Sequence, residues 1–492
     1  MSPFNSARYA RLLKGLEIAE VQASKVYDLT TTSRLDPEYF QKQHLADDDL
    51  LVKRSSDFMS FAELGLTVDA SAFYPSIEGY YGQGDFPFLR VADVDSMIDF
   101  EGCTRIPEAL CDKHPTLARV KPGDLLFTKG GSVGRVGLVS QPAAVSRDLI
   151  FLNSSKLPRA EQVFLYLFSQ TDFFNRLLLR SSSQTAQPHL TITLVRELKL
   201  LRASTALKVQ LLAIVNAALK AHEVARKGLT DAENFVLDAL NLRYWQAPEP
   251  LSYVQSSAEI FAAGRLDAQY FQPKYRAMTE HIDGTGCAKS LENCVTVNQR
   301  GKQPVYADEG LPVVNSKHVQ RGEVHLDISN RKASYSKDDV LIEFGDVLIN
   351  GTGVGTIGRS AAYLHADSAV PDNHVTVLRP KSDIDAVFLS VFLNSPAGQW
   401  QVEQRLRGSS GQIELYPGDI ARFRVWVAPK DIQRKVRRAV EHSFEQKQRS
   451  TRLLKSAIQV VNSAIEDSES AALNLLRSIV HAEKIDVPKQ MD

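Results

Sequence analysis

The stretch GDLLFTKGGSVGRVGLV, residues 123 to 139, returns later in the chain as GDVLINGTGVGTIGR, residues 345 to 359. Each copy opens on Gly-Asp, passes through a short apolar run, turns through a glycine-rich loop and enters a second extended run. Apolar runs of this length bounded by glycine read as strands, and glycine lets the turn between them take positive φ. Aligned on Val133-Gly134 and Val354-Gly355, the second loop is one residue shorter than the first.

The likeness extends outward on both sides. RLDPEYF at 34 to 40 recurs as RLDAQYF at 265 to 271, and VQAS at 21 to 24 recurs as VQSS at 254 to 257. Further on, FLYLFSQ (164 to 170) answers to FLSVFLN (388 to 394). SSSQTAQPHLTITLVREL (181 to 198) answers to GSSGQIELYPGDIARF (408 to 423). The offset is far longer than the 20 to 50 residues of a solenoid repeat, so a whole domain has been duplicated in tandem. Within each copy, short strands such as PFLRVADV, DLLFT, LPVVNSKHV and HVTVLRP mix with apolar segments at helical spacing. This predicts an α+β domain with a mostly antiparallel sheet.

After each copy the periodicity becomes helical. From Leu207, the residues Leu211, Leu212, Val215, Ala218 and Leu219 share one face, with Ser204 or Thr205 as the cap. Gly228 is expected to interrupt this helix, and Thr230-Asp231-Ala232-Glu233 to restart it as a capping box through Leu242. After Pro429 a second stripe runs through Ile432, Val436, Val440, Phe444, Leu454, Ile458, Val461 and Ile465. A continuous helix there would be about 50 Å long, roughly one and a half turns of B-DNA, and calls for a partner of similar length. The expected organisation is an N-terminal helical segment (1 to 30), a first copy (31 to 203) and a central helical spacer (204 to 245). A second copy (246 to 429), a C-terminal helical spacer (430 to 482) and a tail (483 to 492) complete it. The helices are expected to pair as an antiparallel coiled coil separating the copies with pseudo-twofold symmetry.

Composition narrows the function. With 43% apolar and 24% charged residues the chain is an ordinary globular one, and no apolar run approaches 18 residues, so a cytoplasmic protein is expected. The four cysteines form no CxxC pair, which disfavours structural zinc and a disulfide framework. The 58 basic and 58 acidic residues balance, which excludes a polyanion binder held by bulk charge but not a reader with localised basic loops. Catalytic motifs fail one by one. Gly353 to Gly358 spells GxGxxG, but RSAAYLHADSAV after it reads as strand and loop rather than the helix a dinucleotide site needs. No P-loop, GxSxG or NPPY-like tetrapeptide is present, and Asp47-Asp48-Asp49 and Asp338-Asp339 read as solvated loops.

This combination resembles the DNA specificity (S) subunit of type I restriction-modification systems, on the paired RLDPEYF/RLDAQYF openings, the paired glycine loops and the two helical blocks. The resemblance spans nearly the whole chain. It implies two target recognition domains that each read half of a split site in double-stranded DNA, helical spacers that fix the gap, and no catalysis by this chain. It further implies two modification subunits that methylate adenine with S-adenosylmethionine. Restriction subunits that use ATP and Mg complete the phage-defence complex, so none of these cofactors belongs here and no membrane is involved. The helical tail beyond Ser468 departs from the pattern and leaves open a standard type I complex or a related defence system. The alternative from another class is a scaffold whose copies grip subunits without reading bases.

Candidate DNA contacts fall in three groups. The glycine loops offer Lys129, Ser132, Arg135, Asn350, Thr352 and Arg359; the polar loops that follow offer Gln184, His189 and Gln412. The third group lies where the copies differ, in PSIEGYYGQGDF and RGKQPVYADEG: Tyr80, Tyr81, Gln83, Arg300, Lys302, Gln303 and Tyr306. For every one of these the competing reading is a plain surface loop. The RLD segments (Arg34, Asp36, Arg265, Asp267) read as a structural corner, with docking of a modification subunit as the alternative.

Overall fold

The computed structural model describes residues 11 to 486 except 12–13, 25, 27–33, 74, 96–97, 99, 101, 131–132, 183–188, 327–329, 354 and 409–412. The chain divides into two compact units, Met1–Leu219 with Thr451–Asp492, and Lys220–Ser450.

The described strands of the first unit are β1 (Phe58–Ser60), β2 (Val68–Ala70), β3 (Phe86–Leu89), β4 (Thr104–Ile106), β5 (Arg119–Val120), β6 (Leu125–Thr128), β7 (Val136–Leu138), β8 (Ala143–Val145), β9 (Leu149–Leu152) and β10 (Lys199–Leu201). They form one sheet of order β2-β9-β6-β7, a second of order β4-β3-β8-β5, and a β1-β10 pair. Every residue of β6 and of β9 is buried. Side chains alternate across a strand, so Leu125 and Phe127 enter a core with the helices Arg159–Ser169 and Asp172–Ser181. Leu126, between them, enters a different core with Leu89 and Val145 of the second sheet. The sheet is covered on both faces, which is why LLF carries no polar alternation.

The second unit repeats this plan with β11 (Ala288–Ser290), β12 (Val295–Arg300), β13 (Val305–Ala307), β14 (Leu311–Val314), β15 (Val319–Gln320), β16 (Glu323–Val324), β17 (Lys332–Ser334), β18 (Val347–Asn350), β19 (Ser360–Ala362), β20 (Val370–Pro371), β21 (Val375–Pro380) and β22 (Arg424–Trp426). Order β12-β21-β18-β19 matches β2-β9-β6-β7, and β11-β22 matches β1-β10. In the remaining sheet β17-β14-β20 matches β4-β3-β8, including one parallel pair in each, Phe88 opposite Ala144 and Val313 opposite Val370. Val347 and Ile349 face Phe388 and Phe392 of the helix Ala386–Asn394, while Leu348 faces Val314 and Tyr363. The additions are local: β5 closes an edge in the first unit, β13 and the β15-β16 hairpin appear in the second.

Two long helices, Thr205–Ala239 and Lys430–Glu466, contribute residues to both units. Ser204 caps the first through Leu207 N–H at 3.2 Å. Gly228 does not interrupt it. An added Cβ there would stand 3.0 Å from Ser443 Cβ and 3.1 Å from the Ala439 carbonyl, so this glycine admits the facing helix at close range. Thr230 is no cap either: its hydroxyl donates to Arg226 O, one turn back. Ser443 donates to Ala225 O at 2.6 Å, and with Gly228 against Ala439 the two helices run antiparallel within the second unit. The tail forms its own helix, Glu469–Glu483, capped by Ser468 and held in the first core by Ala472 and Leu476.

The Gly228→Leu variant tests the close-approach reading. Overpacking the crossing should destabilise the protein by about 1–3 kcal/mol, despite leucine's better helix propensity. Thermal unfolding that is unchanged or raised would restore the helix-interruption reading.

Candidate nucleic-acid interface

The two RLD segments fold alike. Asp36 and Asp267 cap short 3-10 turns by accepting from Tyr39 N–H and Tyr270 N–H, at 3.2 and 3.0 Å. Arg34 and Arg265 pair with those carboxylates at 2.7 Å, and each guanidinium lies 4.8 Å from the following tyrosine ring. The arginine hydrogen bond holds both Asp36 and Asp267 below the usual carboxylate range. Arg34 also donates to Arg180 O and Ser182 O, and Arg265 to Leu406 O, tying each segment to the end of a helix in its own unit. Asp28 lies outside the described residues.

In the first unit this corner is extended by residues that read from sequence as solvated loop. Asp47 and Asp48 sit in the helix Lys42–Lys53 and form bidentate pairs with Arg176 and Arg180 at 2.7–2.9 Å. The Arg180 side chain is only 5% exposed and also stacks on Tyr39 at 4.1 Å. Arg180, buried, and Arg176, half-buried, supply the partners that let adjacent aspartates face inward. Among the described residues of the second unit this pairing is absent: Arg405 donates to Gln404 and Gln401 instead, and burial lowers its pKa.

At the glycine loops the units share a main-chain frame. Thr128 N–H and Asn350 N–H donate to the carbonyls of Arg135 and Arg359, at 3.1 and 3.0 Å. Arg135 therefore corresponds to Arg359, and the second loop is two residues longer, not one shorter; the repeated Val-Gly placed the gap wrongly. One residue on, Lys129 N–H and Gly351 N–H donate to Asp148 O and His374 O (2.9 and 2.8 Å), and their carbonyls accept from Leu190 and Leu415 (3.0 and 2.9 Å). Beyond β8 and β20, Ser146 N–H and Asp372 N–H reach Leu89 O and Val314 O (2.9 and 3.0 Å). Ser146 Oγ and Asp372 Oδ1 then accept from Asp148 N–H and His374 N–H (3.3 and 2.9 Å). Arg90 N–H and Asn315 N–H are capped three residues on by Asp93 Oδ2 and His318 Nδ1 (2.8 and 3.1 Å).

The predicted contacts take different places around this frame. Lys129, Arg135 and His189 stand on it in the first unit, the last two exposed. Tyr81 lies nearby, half-buried beneath Arg90 at 5.7 Å, in a cleft of about 580 Å³ that Arg147 and Asp148 also line. Tyr80 is exposed, and Gln83 donates to Gly79 O. In the second unit Thr352 hydrogen-bonds His374 Nδ1 at 2.7 Å. Asn350 faces inward instead: it is fully buried, and Nδ2 donates to Ser316 O, Val319 O and Thr356 O. Arg300 points back at the chain, donating to Gly351 O and Leu415 O at 3.2 and 2.7 Å beside Glu414. Lys302 bonds Asp339, whose carboxyl is held down at about 2, first by Ser336 N–H and then by that lysine. Tyr306 lies under Arg331, Arg359 reaches Gln320 Oε1 at 2.7 Å, and Gln303 is exposed. Ser132, Gln184 and Gln412 fall outside the described residues.

Sequence reasoning passed over the turn that closes the frame, Ser146-Arg147-Asp148 and Asp372-Asn373-His374. Aligning the strands on either side, AVSRDLIF with VPDNHVTV, brings these turns together; the signal was weak because no residue is shared at matching positions within them. Among the described residues no cluster of His, Cys, Asp and Glu is placed to hold a metal, and no helix is long and apolar enough to cross a membrane.

No family model matches the chain, and no curated protein does. Among solved structures, the chain is similar to a type I restriction-modification S subunit from M. genitalium, with 13% identity, 88% of this chain and 96% of that one covered, and a TM-score of 0.34. It is similar likewise to the HsdS subunit from Thermoanaerobacter tengcongensis, with 16% identity, coverage of 87% and 95%, and a TM-score of 0.26.

Two variants probe the site's construction. Arg180→Met should strand Asp48 and destabilise the first unit by about 3 kcal/mol, raising amide exchange over residues 34 to 53 while leaving 265 to 283 unaffected. Equal exchange in both segments would show that the pair does not hold the corner. Asn350→Ala should cost about 1–3 kcal/mol by leaving buried carbonyls unpaired; a variant that unfolds like the parent would argue for an outward-facing Asn350.

Proposed function

We propose that the chain is a non-catalytic DNA specificity subunit of a type I or type I-like restriction-modification complex. One observation carries this: the two units build the same main-chain frame, bond for bond, and dress it with different side chains. A duplicated scaffold bearing unlike polar groups suits a protein that reads two different short sequences of one duplex. Base edges are distinguished by hydrogen-bonding side chains, whereas a common backbone does the positioning. On this reading residues 31–203 and 246–429 are the target recognition domains, and the antiparallel helices between them set the unread gap. The paired RLD corners, each beside an exposed leucine (Leu35 and Leu266), would dock two modification subunits. Methylation with S-adenosylmethionine and ATP- and Mg-dependent restriction belong to the partner subunits, and the complex is cytoplasmic.

Replacing residues 31–203 by the corresponding domain of a relative should alter only one half of the modified site, read by sequencing methylated adenines in cells carrying the complex. A change in both halves would rule out modular readout. A complex with no sequence preference across a salt series would favour the scaffold alternative, because non-specific binding is the part that salt removes fastest.

A further inference from the structure

We propose that Arg147 and Asn373, at the tips of equivalent turns, give the two units different base preferences: guanine for Arg147 and adenine for Asn373. The inference rests on the specificity-subunit reading and goes one step beyond it, to the side chains that choose.

The turns are matched by main-chain bonds on every side. Ser146 and Asp372 are anchored to the ends of β3 and β14 through Leu89 O and Val314 O. Asp148 and His374 are anchored to the glycine loops through Lys129 N–H and Gly351 N–H. Leu149 N–H and Val375 N–H close both turns onto the carbonyls of Ser146 and Asp372, each at 3.2 Å. Residues 147 and 373 therefore occupy one position in a common frame, with the first exposed and the second half-buried. Around that position the side chains diverge: Lys129 against Gly351, Asp148 against His374, Arg90 against Asn315. Backbone that is held equal while the tip changes from guanidinium to carboxamide is what two readers of different bases require.

The chemistry of the tips sets the preferences. A guanidinium offers two parallel donors, which match guanine O6 and N7 in the major groove; a carboxamide offers a donor and an acceptor, which match adenine N7 and N6. In the first unit Arg147 borders the cleft of about 580 Å³ that Tyr81 and Arg90 also line, leaving room for a base edge beside it. Three cations of the second unit already have partners: Arg300 bonds carbonyl oxygens, Lys302 bonds Asp339 at the surface, and Arg359 bonds Gln320.

The test uses the full-length chain, purified with whatever subunits accompany it, and a library of duplexes randomised across both half-sites and a variable gap. Arg147→Asn should remove the guanine preference at one position of one half-site, by about tenfold or more, and leave the other half-site untouched. Asn373→Arg should do the converse at an adenine in the other half. Arg147→Lys keeps the charge but not the fork, so it should lose the same preference with its salt dependence preserved. Weakening that is uniform over all sequences, with the salt slope reduced by about one, would make Arg147 a phosphate contact and overturn the inference. Enrichment profiles identical to the parent would overturn it too. A parent protein that enriches no sequence at all would instead bring down the specificity-subunit reading, which separates the two failures.

Discussion

A strand buried on both faces governs how each unit is built. Leu125–Thr128 and Val347–Asn350 are covered by helices on one side and by a second sheet on the other, so their peptide groups can be satisfied only within the sheet. Each strand takes two neighbours and ends where its cover ends. At that edge the main chain leaves as a glycine loop, and the surrounding turns fasten it through N–H and carbonyl groups. The polar frame is thus a consequence of the buried strand, which fixes the root of the loop in the middle of three layers.

The units differ in how firmly their corners are tied. Both use an arginine, an aspartate and a tyrosine around a short 3-10 turn; the first adds two inward-facing ion pairs, Arg176 with Asp47 and Arg180 with Asp48, where the second has the more exposed pair Lys274 with Glu403. The second instead gains the β15-β16 hairpin, whose Glu323 is paired with Lys447 of the long helix in the same unit. Burial alone would raise that carboxyl, yet His325 and Lys447 together hold it below its ordinary value. Duplicated domains have here acquired separate means of bracing the same frame.

Much of the fold is legible in the sequence because the buried strands write themselves as unbroken apolar runs and the duplication supplies each run twice. The repeated RLD, GD and FL segments locate the corners, strands and helices in both halves. Three readings fail for identifiable reasons. Gly228 looks like an interruption because close helix approach and helix breaking use the same residue. Asp47 and Asp48 look solvated because their arginine partners lie about 130 residues away in sequence. The glycine loops look one residue apart because Val-Gly repeats by composition, whereas the pairing of Thr128 with Arg135 and of Asn350 with Arg359 decides the true correspondence. For the candidate site, residue type marked Lys129, His189, Asn350 and Arg300 alike, and the last two turn inward onto carbonyls. Nothing local in a sequence tells a polar side chain that faces solvent from one that holds a carbonyl.

Because the loop root is fastened by peptide groups and not by the residues that crown it, the crown is free to drift. Substitution at the turn tips removes none of the main-chain bonds that anchor the turns, so successive changes there accumulate with that frame intact. On the specificity-subunit reading proposed above, a lineage carrying this scaffold would sample new preferences in one half while the other continued its work.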